Sequence, residues 1–208
     1  MTTADLQKKF RDSLPSDLKI EGEYVSLEPL CSGHGNDLNE AVQDGELWKL
    51  RETPIPTITE MEEYIQQAIK QRERGRQLPF IVRRFDDGKI VGTTRYYNIS
   101  SVNRNLSIGY TWYSASAQRT VVNTECKLLL LTHAFENSIC ISVQWHTHGE
   151  NTRSQNAIMR LGASFEGVLR NHTILEDGRI SDVHCFSMLN TEWQNSKRLL
   201  QERVFGNT

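Results

Sequence analysis

The chain has 208 residues, of which 38% are hydrophobic and 24% charged, and its formal net charge is −2. A chain of this length can bury on the order of 70% of its extended surface within one domain, and the composition is that of an ordinary globular protein. The weak charge gives no electrostatic case for a nucleic-acid partner, no apolar run of about 18 residues offers a membrane span, and the first residues lack an apolar signal core, so a cytoplasmic protein is expected.

Leu6, Phe10 and Leu14 recur at helical spacing ahead of Pro15, which predicts a short helix within an N-terminal extension, residues 1–20. Tyr24, Ser26 and Glu28 alternate with Val25 and Leu27 in a first strand that ends at Pro29. A turn-rich stretch leads into a helix from about Asp37 to Leu50, and the prolines of Thr53 to Pro56 make a loop. Thr59-x-x-Glu62 reads as a capping box for a helix carrying Tyr64, Ile65, Ala68 and Ile69. Pro79 to Phe85 and Lys89 to Ile99 form a hairpin around Asp86-Asp87-Gly88, because the Asp-Gly pair tolerates positive φ.

In the next strand Ile108, Tyr110 and Trp112 alternate with Gly109, Thr111 and Tyr113, which predicts two opposite faces. A small polar loop follows, and then a helix from about Asn123 with Cys126, Leu129, Leu130 and Phe135 at helical spacing. A strand passing through such a loop into a helix start gathers unpaired amides and the positive end of a helix dipole, which suits an anion, phosphate above all. An ordinary strand-to-helix connection reads the same way. Ile139, Ile141, Val143 and Trp145 alternate with Cys140, Ser142, Gln144 and His146 in a further strand. Asn151 then caps a helix bearing Ala157, Ile158 and Leu161 that stops at Gly162. Strands at Ser164 to Leu175 and Ile180 to Leu189 flank a turn at Glu176-Asp177-Gly178, and Thr191-x-x-Gln194 caps a closing helix with Trp193 and Leu200. This order predicts an α+β domain on one mixed sheet.

Cys31, Cys126, Cys140 and Cys185 are widely spaced and form no CxxC pair, which argues for reduced thiols rather than a disulfide frame or a zinc site. Cys126, in a first helical turn, is either activated by the dipole or a buried small hydrophobe. His146 and His148 stand two apart at a strand end, but no third ligand follows by spacing, so no metal is expected.

The block Asn151-Thr152-Arg153-Ser154 with Asn156, followed by Leu161-Gly162-Ala163-Ser164-Phe165-Glu166-Gly167, resembles the GNAT N-acetyltransferase superfamily, and within it the RimJ/RimL-like branch. The resemblance runs from about Tyr24 to Trp193. It implies a single GNAT-like α+β domain over residues 21–208, with a central mixed, mostly antiparallel sheet flanked by helices. It also implies an acetyl-CoA-dependent N-acetyltransferase that passes an acetyl group directly to a primary amine, either a protein N-terminus or a small molecule. No cysteine lies in the Asn151 or Glu166 block to serve as a covalent carrier.

The family's phosphate loop, Q/R-x-x-G-x-G/A, falls on Gln118, Arg119, Thr120, Val121, Val122 and Asn123, with Thr124 next. Gln118 fits the pattern, whereas Val121 and Asn123 occupy its two glycine positions, where glycine permits close approach to phosphate. By the same resemblance the thioester enters between two splayed strands, with main chain near Thr111, Trp112 and Tyr113 facing the cofactor and Gly109 holding a bulge. Asn151 would bond the pantetheine arm, Ser154 would protonate the departing thiolate and Glu166 would act as general base. Each has a plainer role beside it: a helix cap, a surface serine, and a strand-edge glutamate paired with Arg170 or Arg179. Trp48 and Glu52 are assigned to the acceptor pocket from position alone. A non-catalytic acyl-CoA sensor or interaction module that keeps the fold stays open, supported by Val121 and Asn123. Dimers recur in the family, so a homodimer is among the assemblies the resemblance admits.

Overall fold

The computed structural model describes residues 1–49, 55–175 and 177–206. Glu52, the Thr53-Pro54 half of the proline loop and Glu176 lie outside the described residues. In chain order the elements are α1 (Thr3–Asp12), β1 (Ile20–Glu21), β2 (Val25–Pro29), α2 (Gly35–Gln43), α3 (Met61–Glu73), β3 (Gln77–Arg84), β4 (Ile90–Ser100) and β5 (Asn105–Tyr113), then α4 (Val121–Thr132), β6 (Ser142–His148), α5 (Thr152–Arg160), β7 (Ser164–Ile174), β8 (Ile180–Leu189) and α6 (Trp193–Phe205). The strands make an eight-stranded sheet in the order β1-β2-β3-β4-β5-β6-β8-β7. Every neighbouring pair is antiparallel except β5 with β6. The sheet is therefore mixed and mostly antiparallel, as expected.

Two cores sit on opposite faces of this sheet. On one, Val25, Leu27, Phe80, Tyr96, Ile108, Val143 and Trp145 pack against α4 and α6. On the other, Ile81, Ile90 and Trp112 pack under α2 and α3, with Leu38, Val42 and Ile65 facing them. The N-terminal extension docks: Phe10 of α1 is fully buried in the first core. No helix of the described residues is long and apolar enough to cross a membrane.

Four local expectations are corrected. The β5 alternation does not persist, because Ile108 belongs to the α4 side while Trp112 belongs to the α2–α3 side. The cause is one extra residue: Arg95 faces Gly109 and Thr93 faces Trp112, so two steps on β4 meet three on β5, and Tyr110 takes φ +51°. Such a bulge reverses the facing of everything beyond it. The second helix stops at Gln43, short of Leu50, because Gly45 (φ +95°) turns the chain. A side chain on Gly45 would meet the Ala115 Cβ at 2.6 Å, and the Asp44 carbonyl accepts the Ala115 amide at 2.9 Å, so this corner is pinned to the end of β5.

No capping box forms at Thr59 and Glu62: the N-cap of α3 is Glu60, without a side-chain cap bond. Thr57 donates both its amide (2.9 Å) and its hydroxyl (2.8 Å) to the Glu60 carboxylate, the same four-residue spacing met first by the chain leaving Pro56. At the closing helix the N-cap is Glu192 rather than Thr191, and its carboxylate accepts the Leu189 amide at 2.8 Å, tying the helix to the strand before it.

Candidate active site

β5 and β6 pair only through Asn105, Leu106 and Ser107 opposite Ser142, Val143 and Gln144. Beyond these rungs β5 runs on to Tyr113 and β6 to His148 without joining. The bulge causes the parting, and Gly109 makes it sterically feasible: a Cβ there would lie 2.8 Å from the Tyr97 ring. The Ser114 amide donates to Val91 of β4 at 2.8 Å. Strand alternation therefore turns the main chain of Tyr113 and Thr111 towards the open edge. The rings of Trp112 and Tyr113 are buried in opposite cores, so both residues meet the opening through main chain.

Two helix starts stand at this opening. At the first, Gln118 is extended (φ −72°, ψ 145°), Arg119 takes φ +61° and Thr120 caps α4, its Oγ1 accepting the Val122 amide at 3.3 Å. Neither Val121 nor Asn123 has a positive φ, so neither glycine position requires glycine for its backbone. Val121 packs against the adjoining core, which draws its side chain away from the amides. Among the described residues, Thr120 Oγ1 is the one acceptor met by the amides from Arg119 to Asn123. These are orphan donors at the positive end of a helix, a fitting set for an anion.

At the second start, Asn151 Oδ1 accepts the Ser154 amide at 2.9 Å, the helix-capping role, with the residue only 6% exposed. Ser154 sits part-buried in the first turn of α5. The two starts are linked directly: Arg153 Nη2 donates to Gln118 Oε1 at 2.6 Å, while Gln118 Nε2 donates to the Tyr113 carbonyl at 2.9 Å. Gln118, Asn151 and Ser154 are thus gathered at one end of the opening.

Glu166 stands apart from them. It is the extra residue of a bulge on β7, between Phe165 opposite Phe186 and Gly167 opposite Cys185, and three strands beyond β5, with β6 and β8 between. Its exposed carboxylate accepts the Ser187 hydroxyl. Arg179 pairs with Asp177 (2.8 Å) and Glu150 (2.9 Å) instead. By register Glu166 shares a sheet face with Cys185, Ser187 and His146. His146 Nδ1 lies 3.2 Å from the Tyr97 hydroxyl, and burial, then His172, pushes its pKa down. Trp48 packs partly buried against the α2–α3 core.

Cys126 is not an activated thiol. It is fully buried, and burial pushes its pKa up to about 12, outweighing any help from the helix start. Among the described residues no group of three or more His, Cys, Asp or Glu could hold a metal.

Three charged residues escaped the sequence reading. Glu125 of α4, 1% exposed, accepts the amides of Glu23 (2.7 Å), Tyr24 (2.9 Å) and Val25 (2.9 Å). Lys127, 7% exposed, donates to Thr111 Oγ1 at 2.8 Å and Thr94 Oγ1 at 3.3 Å, and burial lowers its pKa to about 8. Arg95 is buried on the opposite face of β4, its guanidinium 4.5 Å from the ring centroids of both Tyr64 and Tyr110. For the two α4 residues a signal was present: they are charged positions inside an otherwise apolar helical run.

The chain matches the family model described as an acetyltransferase (GNAT) domain over residues 25–164. Among solved structures it is similar to a GCN5-related N-acetyltransferase from Brucella melitensis, with 31% identity, TM-score 0.81 and 91% of this chain and 86% of that one covered. It is also similar in fold to Mycobacterium smegmatis RimJ in complex with CoA-disulfide, with 18% identity, TM-score 0.76 and 90% and 95% covered. A further fold match is RimL, a ribosomal L7/L12 alpha-N-protein acetyltransferase, with 20% identity, TM-score 0.72 and 83% and 94% covered. No curated protein sequence matches the chain.

Proposed function

The chain belongs to the GNAT acetyltransferase family, and from that premise we propose that it is an acetyl-CoA-dependent N-acetyltransferase acting directly on a primary amine. The observation that carries this reading is the parting of β5 from β6 just past Ser107 and Gln144, with two helix starts bridged by Arg153 and Gln118 at its end. Acetyl-CoA supplies the activated acetyl group, and the chain's own residues supply the rest.

The amides from Arg119 to Asn123 hold the diphosphate, with the dipole of α4 behind them. Asn151 borders the pantetheine arm while its Oδ1 caps α5. The Thr111 and Tyr113 main chain lines the open edge, where a well-placed amide opposing charge on the thioester oxygen is worth about 3 to 4 kcal/mol. Ser154, at the start of α5, gives a proton to the departing thiolate, whose pKa of about 8.5 makes it a fair leaving group. Glu166 takes the proton of the incoming amine through water, since it lies across the open face of β6 and β8 rather than against the opening. An amine of pKa about 8 to 10 is mostly protonated at neutral pH, so a base is needed.

The Asn151–Ser154 and Leu161–Gly167 blocks support the RimJ/RimL-like branch, and with it an N-terminal or small-molecule amine. The sensor alternative rested on Val121 and Asn123, and the ordinary helical backbone at both removes its conformational argument. An acceptor panel with acetyl-CoA, read by thiol release beside calorimetry of acetyl-CoA binding, tests the proposal. Binding heat with turnover of at least one amine supports it; binding without turnover of any amine returns the sensor; no heat at millimolar acetyl-CoA ends both.

A further inference from the structure

Among the described residues Arg95 is a buried cation without an anion. Only 4% exposed, it projects from β4 on the α2–α3 face of the sheet. Among the described residues its one hydrogen bond runs from Nη1 to Gln77 Oε1 at 2.9 Å, and its Nε and Nη2, both buried, have no partner. Among the described residues no carboxylate pairs with it, whereas Arg83, Arg84 and Arg179 each meet one. A guanidinium cannot shed its proton to escape burial, so the charge stays and asks for compensation.

Part of that compensation is visible. The Tyr64 and Tyr110 rings each lie 4.5 Å from the guanidinium carbon, giving it two cation–π contacts. Tyr64 is held in turn, its hydroxyl 3.0 Å from Thr93 Oγ1. Rings over the guanidinium leave its in-plane edges for hydrogen bonding, and Gln77 occupies the Nη1 side. What remains is the fork of Nε–H and Nη2–H, the side-on edge that fits the two oxygens of a carboxylate.

The position of this edge relates it to the reaction. Arg95 stands opposite Gly109, and the last β5–β6 rung is at Ser107, so Arg95 is one strand away from the point where the opening begins. Tyr110, which borders it, is 46% exposed and sits on the bulge at φ +51°. The same sheet face continues through Tyr97 and His146 towards Glu166.

We infer that Arg95 is the anchor for a carboxylate on the acceptor, so that this enzyme acetylates amines carrying a carboxylate a few bonds from the nitrogen. The inference rests on the transferase reading and narrows it to a substrate class. Two sources share this chemistry, the α-carboxylate of a free amino acid and the side chain of an acidic residue beside a peptide N-terminus. Tyr64 and Tyr110 fix the plane of the guanidinium, Gln77 fixes its rotation, and the unpartnered fork, itself buried, is thereby held in one orientation before substrate arrives.

The test compares kcat/KM for glutamate, methionine and phenylalanine with that for their carboxamides, and for aspartyl-alanine amide with that for alanyl-alanine amide. In the parent protein at least one acid should exceed its neutral counterpart by roughly tenfold or more. Preference for the free acids assigns the α-carboxylate; preference for the aspartyl peptide assigns the side chain; either supports the proposal. In Arg95→Gln the ratio should collapse towards one, and Arg95→Lys should restore part of it, because a point charge remains without the fork. Equal rates on acids and neutral partners in the parent, or an undiminished ratio in a folded Arg95→Gln, overturn the proposal while leaving the transferase reading intact. Loss of transfer to every amine together with loss of acetyl-CoA binding in the parent overturns both. The parent's ratios decide the matter even if Arg95→Gln fails to fold.

Discussion

The two halves of the sheet solve the burial of polar groups in different ways. From β2 to β5 both faces are covered, by α4 and α6 on one side and by α2 and α3 on the other. In that half Glu125 accepts three backbone amides and Lys127 is held by two threonine hydroxyls. In the other half β6 alternates buried Val143, Trp145 and Thr147 with exposed His146, and β7 is exposed along nearly its whole length. There Glu166, the proposed base, and His146 lie on the uncovered face. The covered half is a scaffold whose polar groups are spent on structure, and the uncovered half leaves its polar groups exposed. Arg95 belongs to neither scheme: it has the burial of the first half and the unfilled bonding capacity of the second. Substitutions in the covered half should therefore change stability, and those in the uncovered half should change rate.

The largest effect expected is that of Glu125→Ala. It strands three amides that now point at one buried carboxylate. At about 1 to 3 kcal/mol for each unsatisfied group, partly relieved by relaxation and entering water, the cost is about 4 kcal/mol. For a domain of this size that lowers Tm by roughly 8 to 16 °C in a calorimetric melt. A fall of only a degree or two would mean that the β1–β2 turn is not held by α4, and the contrast between the halves would break at its strongest point.

Glu166→Gln tests the other side. General bases contribute about 100-fold or more, so kcat/KM at neutral pH should drop by about that factor, near 2.7 kcal/mol. Tm should stay within a degree or two, because the carboxylate is exposed and glutamine can still accept from Ser187. The deficit should shrink at high pH, where the amine is already neutral. A pH profile parallel to the parent's would take the base role away from Glu166.

Lys127→Met sharpens the comparison through pH. Burial lowers the folded pKa from 10.5 to about 8. Below about 8 the folded and unfolded chains both carry the ammonium, and the folded chain bears the full cost of burying it. Between about 8 and 10.5 the unfolded state binds more protons, so stability rises with pH; above 10.5 both states are neutral and the cost is gone. The parent should therefore gain on the order of 2 kcal/mol relative to Lys127→Met between about pH 7.5 and about pH 10. Parallel melting curves across that range would show that the ammonium is not confined as the structure has it.

The covered half was the more legible in sequence, yet its charged residues were not. Alternation, the Asp86-Asp87-Gly88 turn and the leucine-rich run gave most elements, and the Asn151–Gly167 blocks located the second helix start. The β5 bulge was anticipated at Gly109, but its consequence for Trp112 was not, because one inserted residue reverses the facing of every later side chain. The capping boxes failed for a simpler reason: Thr57 and Glu60 have the same spacing as Thr59 and Glu62, and only the path of the chain selects between them. Glu125 and Lys127 are visible as charges in an apolar helix, but the amides that Glu125 holds lie 100 to 102 residues earlier in the chain. Nothing local distinguishes Arg95 from a surface arginine. Its burial follows from Tyr64 and Tyr110 meeting across separate elements.

The smallest effect expected is at the seam. Gln118 bonds both sides of the opening, donating to Tyr113 at the end of β5 and accepting from Arg153 at the start of α5. Neither bond is deeply buried, since Arg153 is exposed and Gln118 is part-buried, so Gln118→Ala should leave Tm within about 2 °C. What it should loosen is the relative placement of the two helix starts and of the Arg153 charge beside the anion-binding turn. A bond to a charged group is worth about 1.5 to 3 kcal/mol, and solvent around Arg153 favours the lower end. The KM for acetyl-CoA should therefore rise about tenfold. Turnover at saturating cofactor should change less than twofold, because β4 still pairs with the end of β5 at Trp112 and Tyr113 and holds the Ser114 amide through Val91 once the Gln118 bond to the Tyr113 carbonyl is gone. Gln118→Glu should be worse than alanine for KM, since it keeps a partner for Arg153 but sets a carboxylate against the phosphates. A fall in kcat with KM unchanged would reverse this assignment, giving Gln118 a role in holding the edge of β5 where the acetyl group reacts.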